Sequence, residues 1–150
     1  ELHRLLKRGT SDERDPRFRV GDYKALPNMI GETVYTAAPK EVSAQMQELL
    51  RAYQTKTSVK ERDVIDFHYH FEKIHPFQDG NGRVGRLIMF KECLAHGLVP
   101  FVIDSDHKLF YYRGLREYPQ EPGYLVDTCL SAQDNYRQLI AYFQQPPLEP

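Results

Sequence analysis

One twelve-residue stretch gathers most of the chemistry this chain can offer: His75-Pro76-Phe77-Gln78-Asp79-Gly80-Asn81-Gly82-Arg83-Val84-Gly85-Arg86. It packs a base, a carboxylate, a glycine-flanked turn and two arginines between two helical patterns, and each part suits work on phosphates. Gly80 and Gly82 allow the backbone to turn successive N–H groups inward as an anion-binding nest. A helix starting near Gly82 adds unpaired first-turn N–H groups and a macrodipole that favours negative charge. Arg83 and Arg86, three apart, share one side of that first turn and can grip phosphate oxygens as forks. Asp79 offers one hard carboxylate oxygen, which suits Mg²⁺ holding mostly water and phosphate ligands. His75 titrates near neutrality just before the nest, where it could take a proton from an incoming hydroxyl. Pro76 stiffens the loop and Phe77 plugs it into a core. A GNG turn with nearby arginines would by itself read as a helix end and a solvated face, but a structural turn needs neither base nor carboxylate.

The flanking sequence must position this loop. ELHRLLKR reads as the tail of a helix with Leu2, Leu5 and Leu6 on one side, stopped by Gly9. Thr10 to Pro16 reads as a polar loop. Arg17 to Thr36 holds two short β-prone runs, RFRV and TVYTAA, separated by glycine and proline, which suggests a hairpin or extended flap lying against a helical body. Pro39 opens a helix to about Tyr53 with Val42, Met46, Leu49 and Leu50 as its stripe. Ser58 and Glu61 form a capping-box pattern for a helix striped by Val64, Phe67, Phe71 and Ile74. After the loop, RVGRLIMFKECLAH reads as a helix to Gly97, with Leu87, Phe90 and Leu94 on one face and burial on several sides. Val99 to Ile103 is apolar and extended. Asp104, Ser105 or Asp106 caps a helix through Tyr118, and Pro122 to Phe143 is the last helix. The expectation is an all-α fold with one short β-hairpin.

At 150 residues the chain amounts to about one domain. With 41% hydrophobic and 27% charged residues, it is too apolar for disorder and too charged for a membrane interior. It has no run of about 18 apolar residues, so no transmembrane helix is expected. Lys and Arg number 20 against 21 Asp and Glu, which leaves no overall field to attract nucleic acid or anionic lipid; any anion site must be local. Two cysteines, Cys93 and Cys129, fit a reducing compartment with inert core thiols. The start at Glu1, without methionine, suggests a segment of something longer.

The loop resembles the signature HPFx[D/E]GNGRxxR of the Fic (filamentation-induced) family. Every specified position matches, with Gln78, Val84 and Gly85 at the variable ones. Ile74, His68 seven residues before His75, the RLIM that follows, the earlier PKEVSAQMQELL and the YYRGL at Tyr111 to Leu115 are also similar to the family. The resemblance covers residues 1–143 as a mostly helical Fic-type bundle with a hairpin flap, truncated at its N-terminus, and leaves 144–150 as a tail.

That resemblance implies a nucleotidyltransferase that moves AMP from ATP to a Tyr, Thr or Ser hydroxyl of a target protein and releases pyrophosphate. His75 would be the general base. Asp79 would bind Mg²⁺ bridging the α- and β-phosphates. The Gly80-Asn81-Gly82 backbone and the Asn81 side chain would hold phosphates, while Arg83 and Arg86 would neutralise the β and γ groups. Gly31, Glu32, Thr33 and Val34, leading to Tyr35, would form the flap over the nucleotide and pair with the target's backbone as an added strand; the alternative is a surface hairpin with no role. Tyr111 and Tyr112 match positions lining the nucleoside pocket, though core packing explains at least one of them equally well. The family context implies a cytoplasmic setting, bacterial or after secretion into a host cytosol.

Some features depart from the family pattern. Ala37-Ala38-Pro39 stands where relatives often have prolines, and Pro119 where many have an asparagine, which bears on adenine selectivity. The family's inhibitory pattern [S/T]xxxE[G/N] has one near hit, Thr57 to Arg62, which ends in arginine. An inhibitory helix would then lie in flanking sequence or come from a partner, or the chain is constitutively active. His68 and His70 point about 200° apart on a helix and cannot chelate one ion, which weakens a metal-hydrolase reading and makes His68 a buried, hydrogen-bonded residue. His107 and Lys108 read as surface residues. Transfer of another nucleotide or phosphate-containing group, and a non-catalytic nucleotide-binding interaction module, are the competing functions; a pure binder has no need of a base at position 75.

Overall fold

The computed structural model describes residues 1–30 and 34–144. Among them are the helices α1 (Leu2–Lys7), α2 (Pro39–Gln54), α3 (Glu61–Ile74), α4 (Asn81–Ala95), α5 (Lys108–Glu117) and α6 (Gly123–Phe143). Strands β1 (Met29–Ile30) and β2 (Val34–Tyr35) pair antiparallel, Met29 opposite Tyr35 and Ile30 opposite Val34. The fold is helical with one short hairpin, as expected. The described residues divide into two compact units, one within Glu1–Val59 and Asp66–Ile88, the other of Lys60–Ile65 with Met89–Gln144. The expected flap residues Gly31, Glu32 and Thr33, and all of the expected tail but Gln144, lie outside the described residues.

The first unit holds the loop and is built around Val42 and Met46 of α2, Phe67, Phe71 and Ile74 of α3, and Val84 of α4. Leu6, Leu49, Tyr53, Phe77 and Ile88 pack against them. The expected stripes of α2 and α3 are therefore the ones buried, except that Leu50 is exposed.

Other local expectations change. RFRV does not form a strand. Pro16–Phe18 is a 3₁₀ turn because Asp15 accepts the Arg17 N–H at 3.0 Å and pairs with its guanidinium, so a local turn outcompetes β-propensity. The strand facing Val34–Tyr35 comes instead from Met29–Ile30. Helix α1 exposes Leu2 and Leu5 and buries His3 and Lys7, one turn apart, because these two find polar partners inside. Helix α3 begins at Glu61, and the residue reaching back over its start is Asp63, which accepts the Lys60 N–H at 2.9 Å. Helix α4 buries Val84, Met89 and Cys93 but leaves Leu87 and Leu94 exposed, so it is not enclosed on several sides.

In the second unit, α5 and α6 pack closely where Gly114 meets Leu125. A Cβ on Gly114 would lie 2.7 Å from the Leu125 Cα. Cys93 and Cys129 are buried, and burial pushes their thiols up to about 11 and about 12, which makes them inert at neutral pH. His107 is buried, not superficial as expected: Nδ1 lies 2.7 Å from Asp104 and Nε2 3.2 Å from Ser131. This Asp-His-Ser row ties a loop to α6. Ser131 sits inside a helix whose N–H groups are spent on helical bonds, so no oxyanion hole accompanies it.

Gly114→Ala adds about 1 kcal/mol of helix propensity but sets a methyl against backbone that cannot swing away. The clash wins, and a net loss of about 1–2 kcal/mol is expected as a lowered thermal midpoint by circular dichroism.

Candidate active site

The bend between α3 and α4 is closed by one amide. Asn81, 1% exposed, accepts the Phe77 N–H on Oδ1 at 2.8 Å and donates from Nδ2 to the Phe77 carbonyl at 2.7 Å. One Nδ2 hydrogen and one Oδ1 lone pair are used in this way, which ties the side chain to the bend, while the Asn81 backbone N–H opens α4. Gly80 takes φ +83°, a conformation that favours glycine, and α4 starts at the next residue. The N–H groups of Asn81, Gly82 and Arg83 thus open the helix without helical acceptors.

His75 is the strained residue of the bend. It follows the last residue of α3 at φ +53°, where a side chain costs about 1–3 kcal/mol, and Pro76 bars further helix. Its Nδ1 donates to the Glu72 carbonyl at 3.2 Å. That bond fixes the proton on Nδ1 in the neutral ring and leaves the Nε2 lone pair without a partner among the described residues. Burial pushes the His75 pKa below its ordinary value, and the Lys24 charge adds to this, so the ring is neutral at pH 7. A neutral imidazole with a free Nε2 is ready to accept a proton.

Below His75, the face of α3 carries His68 and Glu72. Burial pushes Glu72 up to about 7 despite the Arg86 charge, and its Oε1 has no hydrogen-bond partner among the described residues. Its Oε2 lies 3.9 Å from His75 Nδ1. Gly85 lets these side chains come close, since a Cβ would meet Glu72 Oε1 at 2.5 Å and His68 at 2.9 Å and force them to shift. His68 is buried as expected, and burial followed by the Arg86 charge pushes it down to about 4. Arg86 Nη1 would lie 3.2 Å from a Cβ on Gly82, which places this guanidinium over the start of α4. Arg83 Nη2 donates to Asp79 Oδ2 at 3.0 Å. Both guanidinium groups therefore stay at the bend.

Asp79 is half exposed at the mouth of the loop. Burial raises its carboxyl, but hydrogen bonds from Lys7 and the Gly80 N–H, with the Lys7 and Arg83 charges, outweigh this and hold it below the usual range. Among the described residues no group of three His, Cys, Asp or Glu could hold a metal. The donor set fits Mg²⁺ only as a single carboxylate oxygen, with phosphate and water supplying the other ligands, the usual arrangement for that ion in nucleotide sites.

Several residues that fix the loop escape sequence reasoning. His3 Nε2 donates to the Asp79 carbonyl at 3.1 Å, its Nδ1 accepts the Gly21 N–H at 3.0 Å, and its ring stacks on Phe77 at 4.0 Å. Lys24, buried, donates from its backbone to Pro76 at 2.8 Å and from Nζ to the Ile74 carbonyl, Asn28 and Thr36. Burial pushes its ammonium down to about 8. Asn28 Nδ2 reaches the Phe77 carbonyl at 2.8 Å, so the base of the hairpin is tied to the bend. The signal for Glu72 is its spacing: His68 and Glu72 stand at i and i+4 on one face of α3, and His75 follows three residues on, just past the helix end. Tyr111 and Tyr112 belong to the second unit; Tyr111 is buried, as the core reading has it, and Tyr112 is half exposed.

The chain is similar in sequence and fold to known proteins. The sequence pattern of the Fic/DOC family matches residues 1–93. A Fic family protein from Desulfovibrio desulfuricans G20 superposes with a TM-score of 0.70 at 26% identity, covering 96% of this chain and 46% of that one. A Fic domain containing signaling protein from Bacteroides thetaiotaomicron gives 0.67 at 27% identity, over 95% and 56%. A probable protein adenylyltransferase of Aquifex aeolicus is 44% identical over 62 residues, 41% of this chain and 18% of that protein. A protein adenylyltransferase Fic of Nematostella vectensis is 30% identical over 107 residues, 67% of this chain and 24% of that protein. The fold and the site define a Fic-type helical protein, and the chain belongs to the Fic/DOC family. It spans between 18% and 24% of the length of these two curated relatives.

Glu72→Gln isolates the buried carboxyl. With its folded pKa raised, Glu72 contributes stability below 4.5 that is lost as pH rises through about 7. The variant should therefore match the wild type near pH 4.5 and gain on it up to pH 7.5, reaching about 3 kcal/mol, read as a widening difference in thermal midpoint.

Proposed function

We propose that this chain carries the active site of a protein adenylyltransferase, transferring AMP from ATP to a Tyr, Thr or Ser hydroxyl of a target protein and releasing pyrophosphate. The observation that carries the reading is the His75 ring, strained, neutral and committed through Nδ1, with Nε2 left to act as a base beside an anion nest. Binding alone would not require it.

His75 Nε2 takes the proton from the target hydroxyl as its oxygen attacks the α-phosphorus. The bond from that phosphorus to the β-phosphate oxygen breaks, and charge passes to the leaving pyrophosphate. The N–H groups opening α4, with Arg83 and Arg86, hold the β- and γ-phosphates and meet that charge. Asp79 would hold Mg²⁺, which when bound neutralises phosphate charge. The names of the Aquifex and Nematostella relatives support adenylyl transfer over the wider class of phosphate-containing groups. The hairpin supplies the target's docking edge. Its β1 residues Met29 and Ile30 are exposed, at 48% and 37%, and its base is fixed to the bend through Lys24, Asn28 and Thr36.

The test is incubation with ATP labelled at the α-phosphate, with Mg²⁺, in a lysate. Protein-bound label is expected with the wild type. His75→Asn, chosen because asparagine tolerates the left-handed backbone, should lose at least about 100-fold of the rate while ATP affinity changes by no more than a few-fold. Tight ATP binding without any label would make the chain a nucleotide-binding module instead. With burial holding the His75 pKa below its ordinary value, the acid limb of kcat/KM should lie at lower pH than an unperturbed histidine would give.

A further inference from the structure

Lys7 is an unusual residue to find behind a phosphate loop. Its side chain is 3% exposed, and Nζ is bonded to the carboxylates of both Asp12 and Asp79. Its stem is held in place, since a Cβ on Gly80 would come within 3.0 Å of Lys7 Cε. The lysine therefore backs onto the inner side of Asp79, whose carboxylate remains half exposed on the other. One exposed partner would suffice for a surface ion pair. A buried ammonium between two carboxylates holds them together, and removing it would leave two acids facing each other.

We propose that Lys7 is the resident counter-cation of Asp79, occupying the place between Asp12 and Asp79 that a divalent ion would otherwise take, so that the loop accepts such an ion only together with nucleotide phosphates. The inference rests on the reading of Asp79 as a metal ligand. Lys7 and Arg83 against Asp12 and Asp79 leave the cluster without net charge. A bare hydrated ion meets a single carboxylate already shared with two cations and has little reason to shed water. A triphosphate brings both the missing oxygens and the missing negative charge. Lys7 thus keeps the site free of bare ions and leaves it ready for a nucleotide complex.

Lys7→Met keeps an unbranched apolar stem and removes the charge. Mn²⁺ is titrated by calorimetry into the full chain without nucleotide. Affinity should be at least about tenfold tighter in Lys7→Met than in the wild type. It should fall back in Lys7→Met with Asp79→Asn, and millimolar Mn²⁺ should raise the melting temperature of Lys7→Met but not of the wild type. Equal affinity in wild type and Lys7→Met, or tight binding that survives Asp79→Asn, overturns the proposal. Should Lys7→Met fold only on addition of Mn²⁺, the ion has replaced the lysine and the proposal stands. Should it not fold at all, Lys7→Met with Asp12→Asn is titrated instead, and affinity equal to the wild type's overturns it. With no nucleotide present, failure to transfer AMP would refute the proposed function and leave this result unaffected.

Discussion

The site depends on a two-way hydrogen bond between one amide side chain and one peptide. Asn81 grips the N–H and the carbonyl of Phe77, and so converts the link between α3 and α4 into a bend with a single shape. Both bonds lie in a region from which Asn81 is almost wholly shielded, where an unpaired amide would cost about 1–3 kcal/mol for each group left unmet. Each consequence then follows in order. The Phe77 ring is held between Phe71 and His3, Gly80 must adopt a positive φ, and α4 begins with its free N–H groups facing the bend. The same Phe77 carbonyl also receives Asn28, so the hairpin and the helix start share one anchor.

Charge is arranged around that bend at two depths. Near the mouth, Asp79, Lys7, Arg83 and Asp12 balance one another. Deeper, Glu72, His68 and Arg86 sit against Gly82 and Gly85, and burial shifts the first two in opposite directions, one towards its neutral acid and the other towards its neutral base. On acidification between 6.5 and 4.5 the fold loses stability through His68 and gains it through Glu72. The two shifts thus act on stability in opposite directions over that range.

How much of this was legible in the sequence depends on distance along the chain. The loop could be read because its base, carboxylate, nest and arginines are contiguous, and the stripes of α2 and α3 because their periods are local. Asn81 was legible as part of a motif, but not as a clamp. His3, Lys7, Lys24 and Asn28 were invisible because their partners lie far off: 76 residues from His3 to Asp79, 72 from Lys7 to Asp79, 50 from Lys24 to Ile74 and 49 from Asn28 to Phe77. Helix α1 shows why pattern alone misleads. Its three leucines share one side, yet only Leu6 packs against the core, while Leu2 and Leu5 are exposed and His3 and Lys7 are buried with specific partners. The strand expected at RFRV failed for a related reason, since Asp15 and Pro16 closed a turn before any strand could pair.

Holding the bend from behind has a functional consequence. A loop that rearranged on meeting a nucleotide would spend binding energy on ordering itself. Here the backbone of residues 74 to 77 is tied to Lys24 and Asn28, residue 79 to His3, and residue 77 to Asn81, before any ligand arrives. The strain at His75 persists because these bonds over-determine its neighbours. In the proposed transfer, a base so placed would lose little rotamer freedom, and donors fixed at the opening of α4 would need no reorganisation as charge moved toward the leaving group. What is left to the substrate is to bring the hydroxyl, the phosphates and their counter-ion. On the proposed reading, the residues that would not touch the substrate are the ones that hold in place those that would.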